Sequence, residues 1–383
     1  MTPSVTLVNR LPALLHLCVE GQSSDMHLVV GQPPLLRQFG QLTTAPDQSP
    51  ITAEEMEAIC GQLLDGFVRP LQDRGDADGA MTSADGSRFR YNVYKRGGQL
   101  CVSLRKLEDR FRTLKELGLP DTLYSLCDLP DGLVIVAGPT GAGKSTTLAA
   151  LIDRINQTFP GHIITIEDPV EYIHKSAKSL VNQRQVGRDC TDFNEALIAS
   201  LRQDPDVILV GEIREIGTIR TAITASETGH LVFTTVHAGD CVGVIERLVS
   251  VFPAGEQDGV RKQLSLVLRA VVAQQLVLAD GPAAGAGRTG RRRRTVMSEV
   301  LVINPAVANL IATGKSSQIY SSMEVGGMQG MQTFEQDIAR LVSEGMISEN
   351  TAYTYAKNPQ VLRDRMHRNK TNPALLRRPM ATK

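Results

Sequence analysis

GLVIVAGPTGAGKSTTLAALIDRIN, Gly132 to Asn156, governs the reading of the whole chain. It opens as a continuous apolar run, crosses a glycine-rich turn and closes as an amphipathic helical stretch. The turn is Gly138, Pro139, Thr140, Gly141, Ala142, Gly143, Lys144, Ser145 and Thr146, a full match to G-x-x-x-x-G-K-[ST]. A strand before it and a helix after it are the context that pattern needs. Glycines let the backbone curl until its N–H groups face phosphate oxygens. The following helix adds the partial positive charge of its N-terminus. Lys144 then reaches the β and γ phosphates as a point charge, and the Ser145 hydroxyl takes a Mg²⁺ position.

Three other apolar runs extend the argument: HIITIED, DVILVGE and HLVFTTVH. Like GLVIVAG they do not alternate, and helical stretches lie between them, as a parallel sheet covered on both faces requires. The expected class is α/β. Ligands of such sheets bind beyond the carboxyl ends of the strands, so the residues after each run carry the information. They are Glu167 and Asp168, with Glu171 in the turn beyond, then Glu212, then His237. Glu212 stands where a Walker B carboxylate belongs and would hold the Mg²⁺ shell through water. The attacking water needs a proton acceptor; Glu171 is favoured over Glu212, and an ordinary salt bridge is the bland reading of either.

The stretch SETGHLVFTTVHAGD, Ser226 to Asp240, places His230 and His237 around a six-residue apolar run. At about 3.3 Å per residue they lie roughly 20 Å apart, at opposite ends of a strand and on opposite faces. They cannot share a metal or act as an acid–base pair. His237 falls at the nucleotide end; His230 falls at the far end, as a structural or interfacial residue.

Residues 1–107 read as a separate α+β domain, with helices at LPALLHLCVE and TAEEMEAICGQLLDGF, the latter opened by a Thr52–Glu55 capping box, and a hairpin about Gly97-Gly98. Residues 108–112 read as a linker, 113–358 as the nucleotide domain with an exposed loop at 281–294, and 359–383 as a basic tail. SENTAYTYAKNP reads as a helix stopped at Pro359.

Composition narrows the classes. The chain of 383 residues has zero formal net charge, 4% aromatic residues and no Trp, which leaves little for stacking on bases. The six cysteines form no C-x-x-C pair; they read as buried small side chains of a reduced protein. No apolar run reaches the roughly 18 residues of a spanning helix, and the N-terminus lacks the pattern of a signal peptide. Basic charge gathers in GRTGRRRR (Gly287–Arg294) and in the C-terminal tail. It fits solvated segments or docking to anionic lipid or an acidic loop of a membrane partner.

Together SSDMHLVVGQPPLLRQFG, GPTGAGKSTTLAAL, ITIEDPVEY, LVNQRQVGRD, LRQDPDVILVGEIRE, ETGHLVFTTVHAGD, VVAQQLV and GMQGMQTFEQDIARLV resemble the secretion-ATPase superfamily. Within it they resemble the PilT/PilU family of type IV pilus retraction motors, over nearly the whole chain. The resemblance implies a PAS-like N-terminal domain, a RecA-like P-loop ATPase domain with C-terminal helices, and a homo-hexameric ring that uses ATP and Mg²⁺. It implies that Arg88, Arg90 and Arg105 close on the phosphates; an arginine suits this as a permanently charged fork. It makes Glu167 and Asp168 part of an Asp box and His230 part of a His box. It implies a cytoplasmic protein, peripheral at a bacterial inner membrane. Its partners would be a pilus platform protein and a paralogous motor ATPase, with no nucleic acid. Membrane contact would run through the basic loop 288–294 and the tail.

One helix departs from the family. Retraction motors read close to A-I-R-N-L-I-R-E where this chain has AVANLIAT, Ala306 to Thr313. The basic tail and AQQLV are similar to the accessory retraction subgroup. The four-cysteine zinc module of the assembly ATPases is absent from the sequence. The leading expectation is a retraction motor. The alternatives are a pilus assembly or type II secretion ATPase, and a non-hydrolysing nucleotide-binding subunit of a retraction ring.

Overall fold

Alternation decides the first part of the chain. In the strand Arg88–Arg96, Phe89, Tyr91 and Val93 are buried while Arg88, Arg90 and Asn92 face the other way, as the two-residue period of a strand dictates. A computed structural model describes residues 10–65, 71–72, 75–107, 110–284 and 294–371. Residues Glu108 and Asp109 of the expected linker, Arg291, Arg292 and Arg293 of the basic loop, and the tail beyond residue 371 lie outside the described residues.

The chain forms two compact units. The first comprises Met1–Arg110 together with Glu167–Ile173 and Arg184–Thr191. Its six strands are β1 (Asp25–Val29), β2 (Leu35–Gln38), β3 (Gln41–Thr44), β4 (Asp76–Thr82), β5 (Arg88–Arg96) and β6 (Gln99–Lys106). They form an antiparallel sheet in the order β3-β2-β1-β6-β5-β4. Gly97 and Gly98, at φ 57° and 82°, turn β5 into β6, the positive φ values a two-residue hairpin demands. One face packs on the helices Leu11–Glu20 and Ala53–Leu64 through Leu11, Leu14, Met56, Ile59, Phe89 and Leu104. Thr52 caps the second helix by accepting the Glu55 N–H. Glu55 does not return the bond that would complete the box; its carboxylate sits 3.1 Å from Arg10.

The second unit holds Phe111–Ile166, His174–Gln183 and Asp192–Lys383. Its strands are β7 (Gly132–Ala137), β8 (His162–Glu167), β9 (Leu180–Gln185), β10 (Val207–Val210), β11 (Leu231–Val236), β12 (Leu268–Leu278) and β13 (Arg294–Val302). The sheet order is β13-β12-β7-β11-β10-β8-β9. β12, β7, β11, β10 and β8 run parallel and β13 is antiparallel to β12. Every residue of β7 and β11 is buried, which explains their unbroken apolar sequences. Because β7 lies beside β11 rather than β8, the turn after β7 is flanked by the last of the apolar strands.

Three strands beyond the four apolar runs complete this sheet. β12 follows the helix Ala254–Val267 with no turn residue between them, so no punctuation marks its start. β9 is polar, with only Gln185 buried. At the C-terminus, Pro359 does not stop a helix but starts one, Pro359–Thr371. Proline fits the first helical turn, where its missing N–H is not needed. Asn358 caps that turn by accepting the Val361 N–H, and Leu362 and Met366 are buried. The segment read as a tail therefore begins as a packed helix.

Candidate nucleotide site

β7 ends at Ala137 and the chain turns back on itself through Gly138, Gly141 and Gly143, with φ of 152°, 77° and 90°. Space explains the first of these. A Cβ on Gly138 would lie 2.3 Å from the Gln274 carbonyl oxygen on β12. Gln274 is 2% exposed. Its Nε2 donates to the Ala142 carbonyl at 2.8 Å, and its Oε1 accepts the Thr147 hydroxyl at 2.8 Å. One buried amide thus ties the loop to the first turn of the helix that follows. That helix, Lys144–Thr158, begins at Gly143 with no side-chain cap, leaving its N-terminal end to backbone groups. Lys144 Nζ donates to the carbonyls of Gly138 (3.0 Å) and Pro139 (3.2 Å), and Ser145 is exposed. A glycine cradle, an uncapped helix start, a lysine on its rim and an exposed hydroxyl fit a polyphosphate with a magnesium ion, which takes few protein ligands beside phosphate and water.

The loops after β10 and β11 meet beside this cradle. Ile213 N–H donates to Thr235 O, and Thr235 Oγ1 to Gly211 O at 2.6 Å. His237 Nε2 lies 3.3 Å from Glu212 Oε1. Arg214 forks onto the same carboxylate, Nε to Oε1 and Nη2 to Oε2, the latter at 2.7 Å. Burial, with the charge of Lys144 next, holds the His237 imidazole below its ordinary pKa. Lys144, Glu212 and His237 therefore share one electrostatic neighbourhood.

His230 stands at the other end of β11. Its carbonyl accepts the Gly132 N–H, and its ring Nδ1 lies 2.9 Å from Ala225 O, near the end of the helix Ile216–Glu227. The acidic stretch after β8 belongs to the first unit, as do the three arginines. There Arg88 donates to Val170 O at 2.8 Å and to Thr82 Oγ1 at 3.0 Å; burial pulls its pKa below the ordinary arginine value, and the charge of Glu167 opposes that shift. Arg90 lies 3.7 Å from both Glu171 and Asp78. Arg105 pairs with Asp25 at 2.7 Å. Asp168, at the cis peptide bond with Pro169, lies in the same segment. Arg90, Arg105, Asp25, Asp78, Asn92 and Ser103 line a cavity of about 140 Å³ on the open face of the six-stranded sheet. Each arginine thus has a partner within its own unit.

Gln274 and Arg214 were not singled out from the sequence. The signal for Gln274 was two adjacent glutamines inside the apolar run VVAQQLVL. For Arg214 it was a charge two residues beyond Glu212 in GEIR. Among the described residues no group of three or more His, Cys, Asp or Glu could hold a metal, and no helix is long and apolar enough to cross a membrane.

The type II/IV secretion system protein family matches residues 87–354. The type IV pilus retraction ATPase PilT of Pseudomonas aeruginosa is 40% identical over 348 residues, 91% of this chain and 98% of that relative. The chain belongs to this family, in its PilT-type branch. PilU of the same organism, a type IV pilus ATPase, is 38% identical over 91% of this chain and 89% of its own length. Among solved structures, that of the pilus retraction motor PilT with bound ADP superimposes with a TM-score of 0.83 at 38% identity, covering 92% of this chain and 99% of the other. The Legionella pneumophila ATPase DotB, 24% identical with a TM-score of 0.76, shares the fold. This PilT-type chain carries the full glycine loop and the Glu212–His237 pair.

Proposed function

We propose that this chain is an ATP-hydrolysing motor that powers type IV pilus retraction, and with it twitching motility, from the cytoplasmic face of a bacterial inner membrane. One observation carries the chemistry: the loop around Lys144 faces a carboxylate and a neutral imidazole brought by neighbouring parallel strands. Lys144 and the loop N–H groups grip the β and γ phosphates. Mg²⁺ would neutralise charge on those phosphates, with Ser145 and, through water, Glu212 as the side chains that hold it. His237, neutral near pH 7, contacts the γ phosphate or the attacking water and registers hydrolysis. Glu171 accepts the proton of that water. Arg88, Arg90 and Arg105 bind phosphate oxygens after exchanging their present partners, an exchange of charged hydrogen bonds for stronger ones to a polyanion.

The working form is a homo-hexamer acting on an inner-membrane platform protein, with a paralogous motor ATPase as a further partner. The exposed bases of the helix Pro359–Thr371 and the basic loop supply a peripheral membrane contact. A second reading is an accessory subunit of a retraction ring. It is favoured by the helix Pro305–Ala312, which carries alanines at 306, 308 and 312 and no arginine.

Phosphate release by purified protein tests the chemistry. The wild type should turn over ATP and Lys144→Ala should not; equal turnover in the two discards the site. Deleting the gene tests the output. Hyperpiliated cells that do not twitch are expected, whereas bald cells mean assembly. ATP binding without phosphate release, alone or with a paralogue, would leave the accessory reading.

A further inference from the structure

We propose that Arg214 is a positioning residue for hydrolysis: its guanidinium fork fixes the rotamer of Glu212 and decides which oxygen of that carboxylate is left to work. The inference rests on the role given to Glu212 above.

A carboxylate offers about four lone-pair sites, two on each oxygen. Oε1 of Glu212 faces both Arg214 Nε and His237 Nε2, the latter at 3.3 Å. Oε2 takes only Arg214 Nη2, at 2.7 Å. Among the described residues no other group bonds this carboxylate; the Arg214 fork takes one site on each oxygen and the His237 ring crowds Oε1, which leaves Oε2 the more accessible of the two. Oε2 is where a water of the magnesium shell or an attacking water can be held. The backbone on either side is pinned as well, with Gly211 N–H on Ile166 O and Ile213 N–H on Thr235 O. The carboxylate is therefore set by backbone from behind and by a planar fork from the side.

Stability does not account for the pair. The Arg214 side chain is 65% exposed, and an exposed ion pair adds little to folding. A lysine would not substitute, because one ammonium cannot make two parallel bonds in a fixed plane. Nor is Arg214 set to hold phosphate as it stands, since the carboxylate occupies its Nε–Nη2 edge.

The test uses purified full-length wild type, Lys144→Ala, Arg214→Ala, Arg214→Lys, Glu212→Gln and the Glu212→Gln/Arg214→Ala pair. Single-turnover hydrolysis and affinity for a fluorescent ATP analogue are measured on each. Arg214→Ala should melt with the wild type, bind the analogue within about threefold and hydrolyse at least tenfold more slowly. Arg214→Lys should stay within about threefold of Arg214→Ala. On the Glu212→Gln background the second change should cost less than twofold, because an arginine that acts through Glu212 has nothing left to position. Hydrolysis by Arg214→Ala within twofold of wild type overturns the proposal. So does a further tenfold loss on the Glu212→Gln background, or a loss of binding as large as the loss of rate, either of which puts Arg214 on the nucleotide itself. Absent turnover in the wild type sinks the reading of function and this proposal with it; normal wild-type turnover with an indifferent Arg214→Ala sinks this proposal alone.

Discussion

His237 carries the clearest electrostatic signature of the site. Burial and the nearby Lys144 both disfavour its protonation, and Glu212 only partly compensates. The ring is therefore neutral near pH 7 and takes up a proton only below the ordinary histidine value of about 6.5. Proton NMR of His237 should give a midpoint below that value. Lys144→Ala should raise it by removing a like charge, and Glu212→Gln should lower it. A wild-type midpoint at or above 6.5 would contradict the arrangement. Gln274 works by a different physics, since its amide is buried and both ends are used. Gln274→Leu keeps the approximate volume but leaves the Ala142 carbonyl and Thr147 hydroxyl without that partner, at a cost of about 1–3 kcal/mol. Thermal melts should show that loss together with weaker ATP binding; a variant as stable as wild type with unchanged affinity would remove Gln274 from the loop's support.

At the scale of elements, the glycine loop is a strand-to-helix joint whose glycines are not equivalent. Gly138 has φ 152° and backbone 2.3 Å from where its Cβ would go, while Gly141 has φ 77° and open space around it. Gly138→Ala must push β7 and β12 apart and should abolish nucleotide binding. Gly141→Ala meets only the left-handed backbone penalty, about 1–2 kcal/mol, and should lower stability while leaving measurable binding. Titration of a fluorescent ATP analogue separates the two; equal losses would refute the distinction. The joint was legible in the sequence because all its requirements are local: nine residues in fixed order between a strand and a helix. β12 was not, because its role is set by residues 127 and 132 positions away that bond to it. Gln274 reads in sequence only as a polar interruption of an apolar run. Pro359 shows the same limit. A proline both ends and begins helices, and the buried Leu362 and Met366 that decide between these are visible only once the chain has folded.

For the whole molecule, the α/β class was legible because four buried strands each carry an unbroken apolar run. The membership of the first unit was less so, since it gathers Glu167–Ile173 and Arg184–Thr191 from far along the chain. Contacts such as Arg88 with Val170 and Arg90 with Glu171 leave no periodic trace. A buried histidine just beyond the first of these segments gives the molecule a predictable weakness in acid. His174 is 7% exposed, stacks against Phe111 with ring centroids 4.6 Å apart, and finds no hydrogen-bond partner at Nδ1 among the described residues. Burial lowers its pKa to about 4, against about 6.5 in the unfolded chain. Above pH 6.5 both states are neutral at this group and it leaves stability unchanged. Between 6.5 and 4 the unfolded chain takes up a proton that the folded one refuses, so stability falls as pH falls. Below about 4 both are protonated and the loss stops, at about 3 kcal/mol in total. His174→Leu keeps an apolar partner for Phe111 and abolishes the titration. Denaturant unfolding at pH 7 and pH 4 should therefore show a difference between the two pH values that is smaller in His174→Leu than in wild type by about 3 kcal/mol. Parallel pH profiles for the two proteins would mean that His174 is protonated in the fold and finds a partner there.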